Sequence, residues 1–394
     1  MEIHSPSSIF HPRRILVRST NWLGDAVMAT PALLRLREKF PDARITILTP
    51  EKLRELWTNH PAIDETISFA PNETVFAIAK KVRAGKFDLA LTLPNSPRSA
   101  MEVFLAKIPN RIGYARPWRN FFLTQTVAPR AEAVKMQKLS VAEIQRRIAT
   151  ETQSAQRKKS GELCGLCDSV AKPETSAHQI HEYLHLTAAL GANPEPLPPK
   201  LFVAPEEVEA AKKKFGLEKI TQPIFGLNPG AEYGPAKRWP VEKFIAAAKE
   251  IQQQTNCIWI LFGGKNDSEI ANRIESAIRN SQFVIRNLCG KTSLRELMSL
   301  LKLCRALLTN DTGPMHVAAA HGVPVVAIFG STSPELTGPV SSNGLRHQIL
   351  KSNAPCSPCF LRECPIDFRC MNGIGVGQVV EAVLKTILTT DGPE

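Results

Sequence analysis

No apolar run in this chain is long enough to cross a bilayer. The longest, at 258–262 and 323–329, are strand-sized, far short of the roughly 18 residues that a membrane helix needs. The opening MEIHSPSSIFHPRR lacks the charged-then-apolar order of a secretory signal, so a cytoplasmic protein is expected. Aromatic residues are scarce at 6% and are not interleaved with basic ones. A nucleic-acid surface built on stacking is therefore excluded, whatever the charge. Acidic residues are outnumbered, 37 against 49 Lys+Arg, a formal balance of +12. That excess favours anionic partners such as an acidic membrane face or phosphorylated sugars. No G-x-G-x-x-G follows the first strand, which disfavours a dinucleotide dehydrogenase.

What is present is an alternation. At 394 residues the chain suits two domains with separate cores. Short β-branched runs at 15–18, 44–49 and 89–93 are interspersed with helical stretches at 25–40 and 96–107. A second series places strands at 224–227, 258–262, 306–309 and 325–329, with helices at 241–254, 267–280, 293–303 and 314–321. This pattern predicts an α/β fold: two Rossmann-like halves with parallel sheets facing a central cleft, ligands lying at the carboxyl ends of the strands. The polar, basic stretch 131–177 reads as an insertion, and GANPEPLPPK at 191–200 as a stiff linker. The division that results is a first domain over 1–195, a second over 196–375, and a final helical segment over 376–394.

Three strand-to-loop junctions carry the candidate chemistry. After the first strand, Asn21-Trp22-Leu23-Gly24-Asp25 offers a carboxylate at a helix start, either a cap or a general base facing the cleft. The second junction runs from Gly226 through Gly230, Glu232, Lys237 and Arg238 to Pro240. Two adjacent cations before a helix gain nothing from its dipole, which favours a role on a phosphate. The third is Asn310-Asp311-Thr312-Gly313-Pro314-Met315-His316. Backbone N–H groups at that helix start can hold a diphosphate, Asp311 can cap the helix or accept from sugar hydroxyls, and His316 can reach the same phosphate or sit buried as structure.

Together these junctions resemble the bacterial heptosyltransferases of glycosyltransferase family 9. The run Pro229-Gly230-Ala231-Glu232-Tyr233-Gly234-Pro235-Ala236-Lys237-Arg238-Trp239-Pro240 is similar to the signature of the type II members, and Leu93-Pro94-Asn95-Ser96 adds a further match. The resemblance implies a GT-B fold, ADP-heptose as donor and a heptosylated Kdo–lipid A acceptor, with the last helix crossing back onto the first domain. Carried over, Asp25 is the base, Lys237 the diphosphate cation, and Asp311, Thr312 and Gly313 the donor-sugar and phosphate loop. Gly230, Glu232, Arg238 and His316 join the donor set. Asn95, Ser96, Arg98 and Arg116 are the expected acceptor contacts, within a basic group that also holds Arg111, Arg119, Lys135 and Lys138. Positive charge on the leaving ADP comes from side chains and a helix dipole, so inverting transfer without a metal is expected. The basic face is expected to touch the anionic inner-membrane surface peripherally. Competing readings are a type I or other family 9 enzyme, and a non-catalytic nucleotide-sugar binding protein, which ADP release in the presence of acceptor discriminates.

Cysteines and tryptophans remain. Cys356, Cys359, Cys364 and Cys370 fall within 15 residues, and four thiols so spaced form a candidate structural zinc site. A second candidate pairs Cys164 and Cys167 with His178 and His181, although His178, His181 and His185 also share one helix face. Cys257, Cys289 and Cys304 read as core, and Trp22, Trp118, Trp239 and Trp259 mostly as packing. The turn from Phe262 to Asp267 is either a plain turn or a seat for adenine or ribose.

Overall fold

The computed structural model describes residues 11–157, 177–279, 284–340 and 347–388. The chain divides into two units, one formed by Met1–Ala133 with Ile180–Leu197, the other by Val134–Gln179 with Pro198–Glu394.

The first unit is built from β1 (Arg14–Arg18), α1 (Leu23–Met28), α2 (Thr30–Lys39), β2 (Arg44–Pro50), β3 (Glu65–Phe69), α3 (Val75–Arg83), β4 (Leu89–Thr92), α4 (Pro97–Leu105), β5 (Asn110–Tyr114) and β6 (Gln125–Val127). Of the next two helices, α5 (Val141–Arg157) belongs to the second unit and α6 (Ile180–Ala188) to the first. The six strands form one sheet in the order β3-β2-β1-β4-β5-β6, every pair parallel. Its central strands are buried on both faces, hence the continuous ILV and LAL runs. Chain order reverses between β1 and β4, and that switch point opens a crevice at their carboxyl ends.

The helix expected over 25–40 is broken at Ala29. Pro31 has no N–H with which to reach Val27 O. Thr30 Oγ1 takes that acceptor instead, at 2.8 Å, and the chain restarts as a second helix.

The second unit continues with α7 (Pro205–Lys214), β7 (Ile224–Asn228), α8 (Val241–Thr255), β8 (Ile258–Leu261), α9 (Ser268–Arg279), β9 (Ile285–Asn287), α10 (Leu294–Lys302), β10 (Ala306–Asn310), α11 (Gly313–Ala320), β11 (Val325–Phe329), α12 (Pro334–Thr337), β12 (Gln348–Lys351), α13 (Arg369–Asn372) and α14 (Val376–Leu388). Its parallel sheet has the order β12-β11-β10-β7-β8-β9, and the switch point lies between β7 and β10.

Three placements differ from expectation. Helix α14 does not leave the second unit: Val379, Val380, Val383 and Ile387 lie in one buried core with Phe244, Ile251, Val326 and Ile328. Its apolar face matches α8 and the sheet beneath, which is why it stays there. The described part of the 131–177 insertion is not an appendage of the first unit either, because Ile144 of α5 is buried with Cys356 and Cys359. Cys164 and Cys167 lie outside the described residues. Finally, Trp118 is 89% exposed, not packed.

Candidate active site

In the first unit the site begins at the switch point between β1 and β4. Arg18, the last residue of β1, turns inward, where its Nε meets Glu102 Oε2 of α4 at 2.7 Å. Both side chains are buried. Burial pulls the Arg18 pKa down while Glu102 pulls it back up, the usual contest in a buried pair. The same guanidinium donates from Nη1 to Ser19 O at 2.5 Å and Asn21 Oδ1 at 3.2 Å. A buried ion pair thus ties the loop ahead of α1 to α4. Asp25 stands half-buried in the first turn of α1, where the helix dipole favours negative charge. It is not the helix cap, because Trp22 occupies that position and makes no side-chain capping bond.

The loop after β4 brings Asn95 to Arg119, whose Nη1 donates to Asn95 Oδ1 at 3.1 Å. Ser96 is the N-cap of α4, its Oγ accepting from Ser99 N at 3.2 Å. Arg98 reaches Glu102 Oε1 at 3.4 Å and Glu73 O at 2.5 Å, while Arg116 leans over Tyr114. Arg119 is 0% exposed, and its Nε and Nη2 have no hydrogen-bond partner. Burial first, and Arg116 second, push its pKa down to about 10. Of the other basic candidates, Arg111 donates to the carbonyls of Ile108 and Phe122, and Lys135 and Lys138 fall in the second unit.

In the second unit the loops after β7 and β10 adjoin. Asn310 clasps both ends of the first: its Nδ2 donates to Pro229 O at 2.7 Å and its Oδ1 accepts from Trp239 N at 3.1 Å. Gly230 must be glycine there, since a Cβ would lie 2.3 Å from the Asp267 carboxylate. Lys237 Nζ meets Asp311 Oδ2 at 2.6 Å, and Thr332 Oγ1 donates to the same oxygen at 2.6 Å. Arg238 Nη2 reaches Asp267 Oδ1 at 3.2 Å. Both expected diphosphate cations are therefore already paired with carboxylates. Asp311 is an ion-pair partner; the N-cap of α11 is Thr312, which makes no side-chain capping bond, so that helix start is left for other acceptors. Glu232 is exposed at the rim of the loop. His316 is buried, and burial pushes its pKa down to about 4, so at neutral pH it offers an uncharged imidazole. Asp267 also accepts from Gly264 N at 3.0 Å, which makes the Phe262–Asp267 turn the support of Arg238.

The cysteine-rich segment holds this loop from behind. Tyr233 OH donates to Phe360 O at 2.8 Å and Ala236 N to Arg362 O at 3.0 Å, while Lys237 and Arg362 both lie about 5 Å from the Tyr233 ring. Among the described residues no three His, Cys, Asp or Glu side chains are grouped to hold a metal. Burial instead raises the Cys356 and Cys359 thiols and pushes Cys370 up to about 12, and Cys364 Sγ accepts from Phe368 N at 3.3 Å. His178 bonds Gly338 O at 3.1 Å and His185 bonds Ala128 O at 3.2 Å, each by its Nε2. The motif reading did not single out Glu102 or Thr332. Neither carries a local signal, because their partners are 84 and 21 residues away.

Two doubly wound units in one chain, with a carboxylate loop at one switch point and a cation loop beside a helix start at the other, define the GT-B class of glycosyltransferases. The chain belongs to glycosyltransferase family 9 (heptosyltransferase), whose family model matches residues 75–137 and 132–368. It is 30% identical to the lipopolysaccharide heptosyltransferase 2 of Salmonella typhimurium over 83% of this chain and 86% of that one. It is also 30% identical to the lipooligosaccharide heptosyltransferase 2 of Haemophilus ducreyi, over 84% and 87%. Among solved structures, the ADP-heptose LPS heptosyltransferase II of E. coli superposes with a TM-score of 0.72 at 26% identity, covering 96% of this chain and 100% of that one. No helix among the described residues is long and apolar enough to cross a membrane.

Proposed function

We propose that this glycosyltransferase moves L-glycero-D-manno-heptose from ADP-heptose onto the first heptose of the lipopolysaccharide inner core, with inversion and without a metal. The names of its relatives support the donor and acceptor classes. The observation that carries the reading is the pairing of Lys237 with Asp311 beside an uncapped helix start.

In this scheme Asp25 takes the proton of the acceptor hydroxyl as that oxygen bonds to the sugar C1. The bond from C1 to ADP breaks on the opposite face, and the departing diphosphate keeps the electron pair. The two cations and two carboxylates of the donor loop cancel, so the new charge must be met in part by N–H groups at the start of α11 and by the remaining donors of Lys237 and Arg238. His316 lends an uncharged imidazole to the same edge. The terminal Gly230–Glu232 turn shapes the seat of the nucleotide sugar, and Asn95, Ser96, Arg98 and Arg116 line the acceptor side. Because the acceptor is lipid-linked, the enzyme works against the inner-membrane face.

The decisive assay offers ADP-heptose with Kdo–lipid A carrying no, one or two heptoses. ADP release is expected with one heptose; release with the heptose-free acceptor alone assigns a type I enzyme instead. Asp25→Asn should lower turnover by ~10²–10⁴ while leaving the fold and ADP binding intact. Retention of near-native turnover would remove Asp25 as the base.

A further inference from the structure

Residues 116–122 leave the carboxyl end of β5 and run back along the sheet margin toward its start, where Phe122 O accepts from Arg111 Nε at 2.8 Å. The segment is fixed by its own hydrogen bonds. Arg116 N donates to Asn120 Oδ1 at 2.9 Å, Phe122 N to Arg119 O at 2.9 Å, and Leu123 N to Asn120 O at 3.1 Å. Arg119 is drawn inward, and it fits because Gly113 has no side chain: a Cβ there would lie 2.7 Å from Nη2. With Arg119 inside, Trp118 and Phe121 point out, 89% and 80% exposed. Trp118 holds φ +63°, a left-handed conformation that is costly for a bulky side chain. Phe121 is not a stray ring, since it packs tilted against Phe104 and edge-on to Phe122, with centroids 5.9 and 5.6 Å away.

Strained backbone that presents a tryptophan to water, next to an exposed phenylalanine, makes sense when something covers both rings. The charge around them says what. From residue 103 to 131 the chain has five cations, Lys107, Arg111, Arg116, Arg119 and Arg130, and no Asp or Glu. Arg130 faces Glu132 and Glu182, while the other four have no acidic partner among the described residues. Amphipathic rings flanked by unpaired cations match the interface of an anionic bilayer, where indole sits at headgroup level and Arg and Lys meet lipid phosphate.

We propose that Trp118 and Phe121 form a membrane-docking wedge that enters the headgroup region of an anionic bilayer, with Lys107 and Arg116 on the lipid phosphates. The wedge holds the first unit against the surface in which a lipid-linked acceptor is anchored; this purpose rests on the proposed function, but the docking itself does not. The test is flotation of the full chain with vesicles of phosphatidylethanolamine and phosphatidylglycerol, compared with phosphatidylcholine alone. The parent should bind the anionic vesicles, and Trp118→Asn/Phe121→Ser should bind them about 10-fold or more weakly. Asn tolerates the left-handed backbone, so the variant should melt no lower than the parent. Its turnover on a deacylated, water-soluble acceptor should be unchanged, while turnover on the vesicle-bound acceptor falls. Vesicle binding equal to that of the parent overturns the proposal. So does an equal loss of turnover on both acceptors, which would assign the rings to the sugar site. Vesicles are bound without donor or acceptor, so failure of the heptosyl-transfer reading leaves the flotation result standing on its own.

Discussion

The turn between β5 and β6 and the loops of the second unit treat charge in opposite ways. In the second unit both loop cations are paired before any ligand arrives, Lys237 with Asp311 and Arg238 with Asp267. In the first unit Arg119 is fully buried with two of its three nitrogens unsatisfied. A paired cation is pre-oriented at little electrostatic cost, but brings little net charge to a phosphate. An unpaired buried cation is expensive for the fold and leaves positive potential at the site edge. The loops of the second unit are thus organised for geometry and the β5–β6 turn of the first for attraction.

The largest effect should come from the buried Arg18–Glu102 pair of the first unit. Glu102→Ala leaves Arg18 buried without its carboxylate, and breaking such a pair costs about 3–5 kcal/mol. Thermal or urea unfolding should show this loss, and because Arg18 also holds Ser19 O and Asn21 Oδ1, turnover should fall in the protein that remains folded. A stability change under about 1 kcal/mol would mean that water replaces Glu102, and that the pair does not position the loop.

Next comes the donor loop. Lys237→Ala should weaken ADP binding and slow turnover by roughly 10²-fold, the scale of one lost charge-stabilising donor. Asp311→Asn frees the same lysine, so ADP should bind no more weakly, or more tightly, while turnover drops. Isothermal titration with ADP separates the two. If both variants lose ADP binding equally, the pair acts only as a structural strut.

Much of this contrast was legible from residues, and the failures share a physical cause. Strands β1, β4, β7, β10 and β11 announced themselves because double burial demands unbroken apolar runs. The four sheet edges β3, β6, β9 and β12 did not, since ETISF, QTV, IRN and QILK face solvent or loops and carry polar residues. The loops after β1, β7 and β10 were found by their motifs, but the partners of those motifs were not. Glu102 and Thr332 lie on other elements, and a sequence shows spacing along the chain, not across it. The cysteine spacing was visible, but not the packing of Cys356 and Cys359 against Ile144, which lies on a distant element. Trp118 was misread by the opposite error, because an aromatic is usually core and only the fixed turn around Arg119 turns it outward.

Acid should sharpen the comparison further, because the second unit buries His316, His321 and His347, each with its pKa pushed down to about 4 by burial. The folded value lies below the ordinary one, so between pH 6.5 and 4 the unfolded chain binds more protons. Stability from these groups is full above about pH 6.5 and drains away as pH falls toward 4. Each histidine should contribute on the order of 2 kcal/mol of loss by pH 5. Hydrogen exchange at pH 5 and 7.5, corrected for intrinsic rates, should show β10, β11 and α11 losing protection before β1 and β4. Uniform loss across both sheets would mean that carboxylates, not these histidines, set the acid limit.

The smallest effect should be the most informative about the first unit. Arg119→Met removes a buried charge that has no acid partner and keeps a long side chain in the space that Gly113 provides. Removing an uncompensated buried charge should raise stability by about 1 kcal/mol or leave it unchanged, the reverse of Glu102→Ala. Asn95 loses its 3.1 Å donor, and the positive potential beside it falls, so KM for an anionic acceptor should rise by about 10-fold at low salt while kcat changes little. That difference should shrink as ionic strength rises, because screening removes from the parent what the substitution removed from the variant. A variant that is destabilised, with KM unaltered, would show that Arg119 is a structural residue whose hydrogen-bond needs are met by water, and the contrast between attraction and geometry would then fail.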